Sequence, residues 1–168
     1  QITNPRILQG MKDQDLLAYI QPVFIDLDMN TVEPAIGAQR MDKVYAWKSM
    51  LDMGIHTSGG SDAPVVSFDA MENIYFAVTR KNISGQPQEG WIPSEKISVD
   101  EAVKLFTKNA AYASYTEDEN GTIEVGKNAD FVVLEKNIYE IDPDEIKATK
   151  VDMTVLGGEI VYERKVEE

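Results

Sequence analysis

The chain has 168 residues, 43% of them hydrophobic, which suits one domain, or one large and one small module, around a buried core. Its 29 acidic residues against 16 basic ones give a formal net charge of −13, which argues against a nucleic-acid backbone or an anionic membrane surface as partner. With no cysteine there are no disulfides and no thiolate metal ligands, consistent with a reducing, cytoplasmic location. No apolar stretch approaches the roughly 20 residues of a membrane span.

In chain order, Gln1-Ile2-Thr3-Asn4-Pro5 carries no signal-peptide pattern and reads as the interior of a longer protein. Thr3 or Asn4 caps a short helix, with Pro5 at its first position where the missing N–H does no harm. The apolar run Leu17 to Ile25 is a strand that ends around Pro22 or just beyond. Met41, Val44, Tyr45, Trp47 and Leu51 fall at helical spacing and predict a helix from Ala38 to Met53, stopped by Gly54. A strand ending near Asp62 follows, so strand, helix and strand form a parallel crossover unit.

A second helix is predicted from about Phe68 to Arg80, and the Gly/Pro-rich stretch Lys81 to Pro93 is a loop. Ser98-Val99-Asp100-Glu101 is a capping box opening a helix through about Phe106, with a short helix over 107–113 after it. From Gly121 the texture changes to short strands and tight turns. Thr122–Val125, Asp130–Leu134, Val151–Leu156 and Glu159–Tyr162 read as strands, and Gly157-Gly158 as a hairpin turn. The sequons at Asn82 and Asn120 read as chance matches.

Three chemical signatures fail on inspection. Gly59-Gly60 lacks the spacing and the lysine of a phosphate loop. Asp118 to Ile123 imitates the middle of a calcium loop, but Thr116 and Lys127 stand where its end ligands belong, so it reads as a hairpin turn. Ser58 or Ser61 with His56 and Asp62 lie on one strand, whose neighbours point to alternate faces and do not converge as a triad must. What remains is Asp62, one carboxylate just past a buried strand, in the run Gly60-Ser61-Asp62-Ala63-Pro64. It is either a site residue or a turn aspartate accepting backbone N–H groups before a helix.

Three segments give this aspartate a context: Gln21-Pro22-Val23-Phe24 with Asp28; Gly60-Ser61-Asp62-Ala63-Pro64-Val65; and Gly121 to Leu134, containing Gly126-Lys127-Asn128-Ala129-Asp130, with Gly157 to Tyr162. In this order they resemble the amidohydrolase superfamily, in particular amidohydrolase family 3, the branch that includes N-substituted formamide deformylase. The resemblance covers nearly the whole chain. It implies an α/β fold: residues 1–115 as the last two strands and helices of a (β/α)₈ barrel, and 116–168 as strands of a small β-sandwich. It implies a divalent metal, zinc in most relatives, at the C-terminal ends of the barrel strands, and hydrolysis of an amide or related C–N bond in a small molecule. Asp62 matches the strand-eight aspartate that binds metal and shuttles the proton.

Arg40 contacts an anionic group or stands exposed at a helix start, and Asp28 lines the mouth or is a plain loop acid. Trp91 covers the pocket or packs down. Phe24 stands where many relatives carry histidine, and His56 reads as a packed or paired core histidine. The superfamily's other ligands, a His-x-His pair, a lysine or glutamate and two more histidines, have no counterpart in a chain with one histidine. The expectation is therefore a C-terminal piece that alone holds no catalytic metal, is inactive, and self-associates or relies on missing chain to cover its open strand edges. The competing reading is a non-catalytic acidic α/β module that binds a partner.

Overall fold

The computed structural model describes residues 1–165 and orders them as a small parallel sheet wrapped by helices, followed by a three-stranded antiparallel sheet. Helix α1 (Pro5–Asp13) is capped by Asn4, whose side chain accepts from Ile7 N. Strands β1 (Ala18–Ile20) and β2 (Thr57–Gly59) pair in parallel, with Ile20 opposite Gly59. Their C-terminal ends therefore share one edge, and the last bond of the pair is Gly60 N to Ile20 O, 2.9 Å.

The connection between them departs from the expected single helix. The apolar residues after Pro22 leave the strand and form α2 (Phe24–Asp28), followed by α3 (Val32–Ile36) and a 3-10 turn over Ala38–Lys43. Only Trp47–Asp52 is α-helical (α4). The helix breaks at Val44 to Ala46 because Val44 bridges Ile2 and Tyr45 adopts a left-handed φ of 51°. All three residues are buried, so packing of Val44 and Tyr45 overrides the helical periodicity that links them to Met41 and Leu51.

Helix α5 (Ala70–Thr79) begins at Asp69, whose carboxylate accepts from Met71 N and Glu72 N, two residues later than the predicted start. It is buried along most of its length and ends at Arg80 in the left-handed conformation. The loop to Pro93 has no regular structure, as its composition predicts. Helices α6 (Val99–Phe106) and α7 (Lys108–Ala113) follow, and both halves of the Ser98–Glu101 capping box are present. Both helices pack on β2.

The antiparallel sheet has the order β3 (Phe131–Leu134), β4 (Val151–Leu156), β5 (Glu159–Glu163), with Gly157 and Gly158 at positive φ in the β4–β5 hairpin. Residues 122–125 form no strand, and 117–122 is a series of turns after α7 instead of a hairpin. Lys127 accounts for this: its ammonium donates to Glu117 O and Thr122 Oγ1, both at 2.7 Å, and folds the segment back on itself. Asp130 accepts from Gly157 N at 2.6 Å, which fastens the hairpin to the start of β3. The residues that make Gly126-Lys127-Asn128-Ala129-Asp130 recognisable are thus a structural clasp. Replacing Lys127 with methionine is expected to ease local opening by about 1.5–3 kcal/mol, the worth of hydrogen bonds to a charged group. Limited proteolysis should then cut residues 116–128 at least tenfold faster, and an unchanged rate would refute this role.

One buried cluster runs from Leu8 through α5 to Ile138 and Ile146, the latter on a 3-10 turn (Pro143–Ala148) packed against α5. The β3–β5 sheet stands largely outside it, with Val155 its buried residue. Among the described residues no helix is long and apolar enough to cross a membrane.

Candidate functional site

Asp62 lies three residues beyond β2, on the edge where both parallel strands end. Its backbone is left-handed (φ 64°), and its carbonyl accepts from Val65 N at 2.9 Å in a tight turn. The side chain is exposed, and among the described residues no hydrogen bond reaches the carboxylate. Asp62 therefore does not use its carboxylate as a turn aspartate would; the capping is done by Asp69. A free carboxylate on this edge is suited to take and return a proton.

Both helices packed on β2 fix the strand below it. A Cβ on Gly59 would come within 2.7 Å of the Phe106 ring, so only glycine allows α6 this close. Asn109 of α7 donates to Thr57 O at 2.9 Å. That carbonyl points away from β1, because His56 O accepts from Ala18 N and alternate groups face opposite edges. The Asn109 amide thus occupies a strand edge that a neighbouring strand would otherwise satisfy.

The other candidates are not gathered around Asp62 by any contact. Asp28 ends α2, and its carboxylate accepts the Tyr45 hydroxyl, so it is committed to an internal pair. Burial, then the bond to Asp28, pushes the Tyr45 phenol well above its ordinary pKa, so it stays a neutral donor. Arg40 is exposed on the 3-10 turn, beside a cleft of about 410 Å³ formed with Ile2 to Pro5 and Lys43. His56 is exposed, contrary to the expected core placement; it is flanked by the buried Ile55 and Thr57 and stacks on Tyr112 at 4.2 Å. Trp91 packs down, edge-on to Tyr45 at 5.4 Å.

Sequence reasoning missed the most buried charge. Arg80 is 0% exposed, with its guanidinium over Trp47 at 4.8 Å and Trp91 at 5.7 Å. Its Nε donates to Trp91 O at 2.6 Å and Nη1 to Tyr45 O at 2.9 Å. Burial lowers its pKa to about 10, opposed by the nearby Glu95 carboxylate, so it is charged at neutral pH. Glu95, 3% exposed, accepts from Ser49 N at 2.9 Å. The available signal was an arginine closing an apolar helix, with two tryptophans elsewhere and no assigned partners.

Among the described residues no group of three His, Cys, Asp or Glu side chains could hold a metal ion. Asp62 offers a single carboxylate, whereas zinc takes three or four ligands, so the described residues by themselves do not fit a catalytic metal.

The chain is 34% identical over 164 residues to YtcJ of Bacillus subtilis (strain 168), covering 98% of this chain and 31% of that protein. It is 35% identical over 122 residues to the N-substituted formamide deformylase of Arthrobacter pascens, covering 73% of this chain and 22% of the enzyme. The chain thus spans about a third or less of the length of these relatives. Among solved structures it superposes on an uncharacterized metal-dependent hydrolase from Pyrococcus horikoshii OT3 with a TM-score of 0.74 at 19% identity, over 84% of this chain and 29% of that one. Its structural neighbours are (β/α)₈-barrel amidohydrolase enzymes, of which it matches only a part. The model of the Amidohydrolase family matches residues 1–162, and the chain belongs to that family.

Proposed function

We propose that the protein carrying this chain is a metal-dependent hydrolase of amide or related C–N bonds in small molecules, with Asp62 as the carboxylate that binds metal and moves the proton. The supporting observation is the placement of Asp62: an exposed carboxylate, without a partner among the described residues, just past a parallel strand on which α6, α7 and Asn109 pack. Held mainly by ligands from outside this chain, a divalent metal, zinc on this reading, would supply a water that is nucleophilic at neutral pH. Asp62 takes the proton from the attacking water and returns it to the departing nitrogen, which leaves as a neutral amine. The remaining ligands come from outside this chain.

Residues 1–115 supply the last two strand–helix units of the barrel, and 116–168 supply strands to a small β-sandwich. The exposed faces of β3–β5 support this division, as does a groove of about 740 Å³ between α6–α7 and β3. The open edge of β1, and the edge of β2 where Asn109 does not cover it, favour pairing with the rest of the polypeptide or with a second copy. Relationship to a named deformylase makes N-substituted formamides the first substrate class to test, in a cytoplasmic setting.

The test compares the full-length protein with the 168-residue chain. The full-length protein is expected to hydrolyse N-phenylformamide and to lose that activity on chelation. The chain alone, after dialysis, is expected to retain far less than one zinc and to show no turnover. Stoichiometric, tightly held zinc in the chain alone, or chelator-resistant turnover by the full-length protein, would sink the reading.

A further inference from the structure

Asn73 is the one amide in the otherwise largely apolar helix α5, and it is 1% exposed. Its Oδ1 accepts from Val23 N at 3.1 Å, and its Nδ2 donates to Asp69 O at 2.9 Å. Val23 belongs to the segment that leaves β1, and Asp69 closes the loop that carries Asp62. The two segments depart from the same edge of the parallel sheet, and past the Gly60–Ile20 bond they have no ladder to hold them together. A single buried side chain thus satisfies a backbone donor of the first segment and bridges it to the carbonyl that ends the second, which also accepts from Asn73 N at 3.3 Å. The bond to Asp69 O lies in the first turn of α5, but the bond to Val23 N is not needed for the helix, whose N-terminus is capped by the Asp69 carboxylate.

We propose that Asn73 is a positioning residue that couples the β1–α2 segment to the Asp62 loop, so that the carboxylate has one fixed place relative to the residues following β1. The proposal rests on the reading of Asp62 for its catalytic meaning, but the coupling itself is measurable without activity. Loss of a buried hydrogen-bond partner leaves the remaining group unsatisfied, and the strain is relieved by local opening.

The test is hydrogen exchange of the full-length protein, followed by kinetics with N-phenylformamide. In Asn73→Leu, peptides spanning 21–28 and 60–69 are expected to exchange at least about tenfold faster, with kcat reduced and KM little changed. Asn73→Ala fits the space without burying a charge and removes the same acceptor from Val23 N, so it should loosen both peptides likewise, and it serves if the leucine variant does not fold. Thr79→Val is the control. It removes a buried hydroxyl from the far end of the same helix, where Oγ1 donates to Tyr75 O and accepts from Lys81 N, and it should leave both loops unchanged. Exchange that is unaltered in the Asn73 variants, or raised evenly through the protein or equally by Thr79→Val, overturns the proposal. Loosened loops with hydrolysis unaffected by Asp62→Asn would uphold the coupling and remove the catalytic reading instead.

Discussion

Asp62→Asn in the full-length protein is expected to lower kcat by about 10²–10⁴-fold, the range of a lost general acid–base. Asparagine is the informative substitution because it keeps the shape of the side chain and tolerates the left-handed backbone of residue 62 as well as aspartate does. Alanine would add a backbone cost of the order of 1 kcal/mol and confuse chemistry with folding. The exposed side chain makes no bond to the described residues, so stability should stay within about 0.5 kcal/mol of the parent. A kcat within twofold of the parent, with metal content unchanged, removes Asp62 from the reaction.

The largest effect on stability is expected at Arg80. Arg80→Ala leaves Trp91 O without its donor, takes one of two donors from Tyr45 O, which keeps Trp47 N, removes the buried cation that offsets the charge of Glu95, and opens a space beside Trp47 and Trp91. Breaking one side of such a buried arrangement costs about 3–5 kcal/mol. Arg80→Lys should recover little, because one ammonium does not reproduce two donors set by a planar fork and stacked between rings. Chemical denaturation of the full-length protein measures both, and a loss below about 1 kcal/mol for the alanine variant would show that the cluster is not a keystone. The Tyr45–Asp28 pair should loosen at the same time, since the Tyr45 backbone is held by Arg80.

What could be read from the sequence follows the range of the forces involved. Local signals were legible: the Asn4 and Ser98 caps, the Gly157-Gly158 hairpin, and the two short helices before residue 114 depend on neighbours a few positions away. The parallel pairing of β1 and β2 was legible because helical and extended segments alternate around it. The break at Tyr45 was not, because it is imposed by Ile2 and Arg80, which lie 43 and 35 positions away. The Thr122–Val125 strand failed for a similar reason: Lys127 draws that stretch into a turn that alternation alone does not reveal. At the site, Asp62 stood out through its glycine-flanked position, whereas Asn73 and Asn109 had no visible signature. Each acts on a backbone group more than forty residues distant.

The stack of His56 on Tyr112 gives this protein a natural spectroscopic handle. The chain contains a single histidine, and its ring lies at 4.2 Å, nearly parallel, over an aromatic ring of α7. Its imidazole resonances should therefore be displaced by the ring current of Tyr112 and should follow any sliding of that helix across the strand leading to Asp62. Tyr112→Leu would return them to the positions of a free histidine, which calibrates the signal without touching the edge where hydrolysis is proposed to occur.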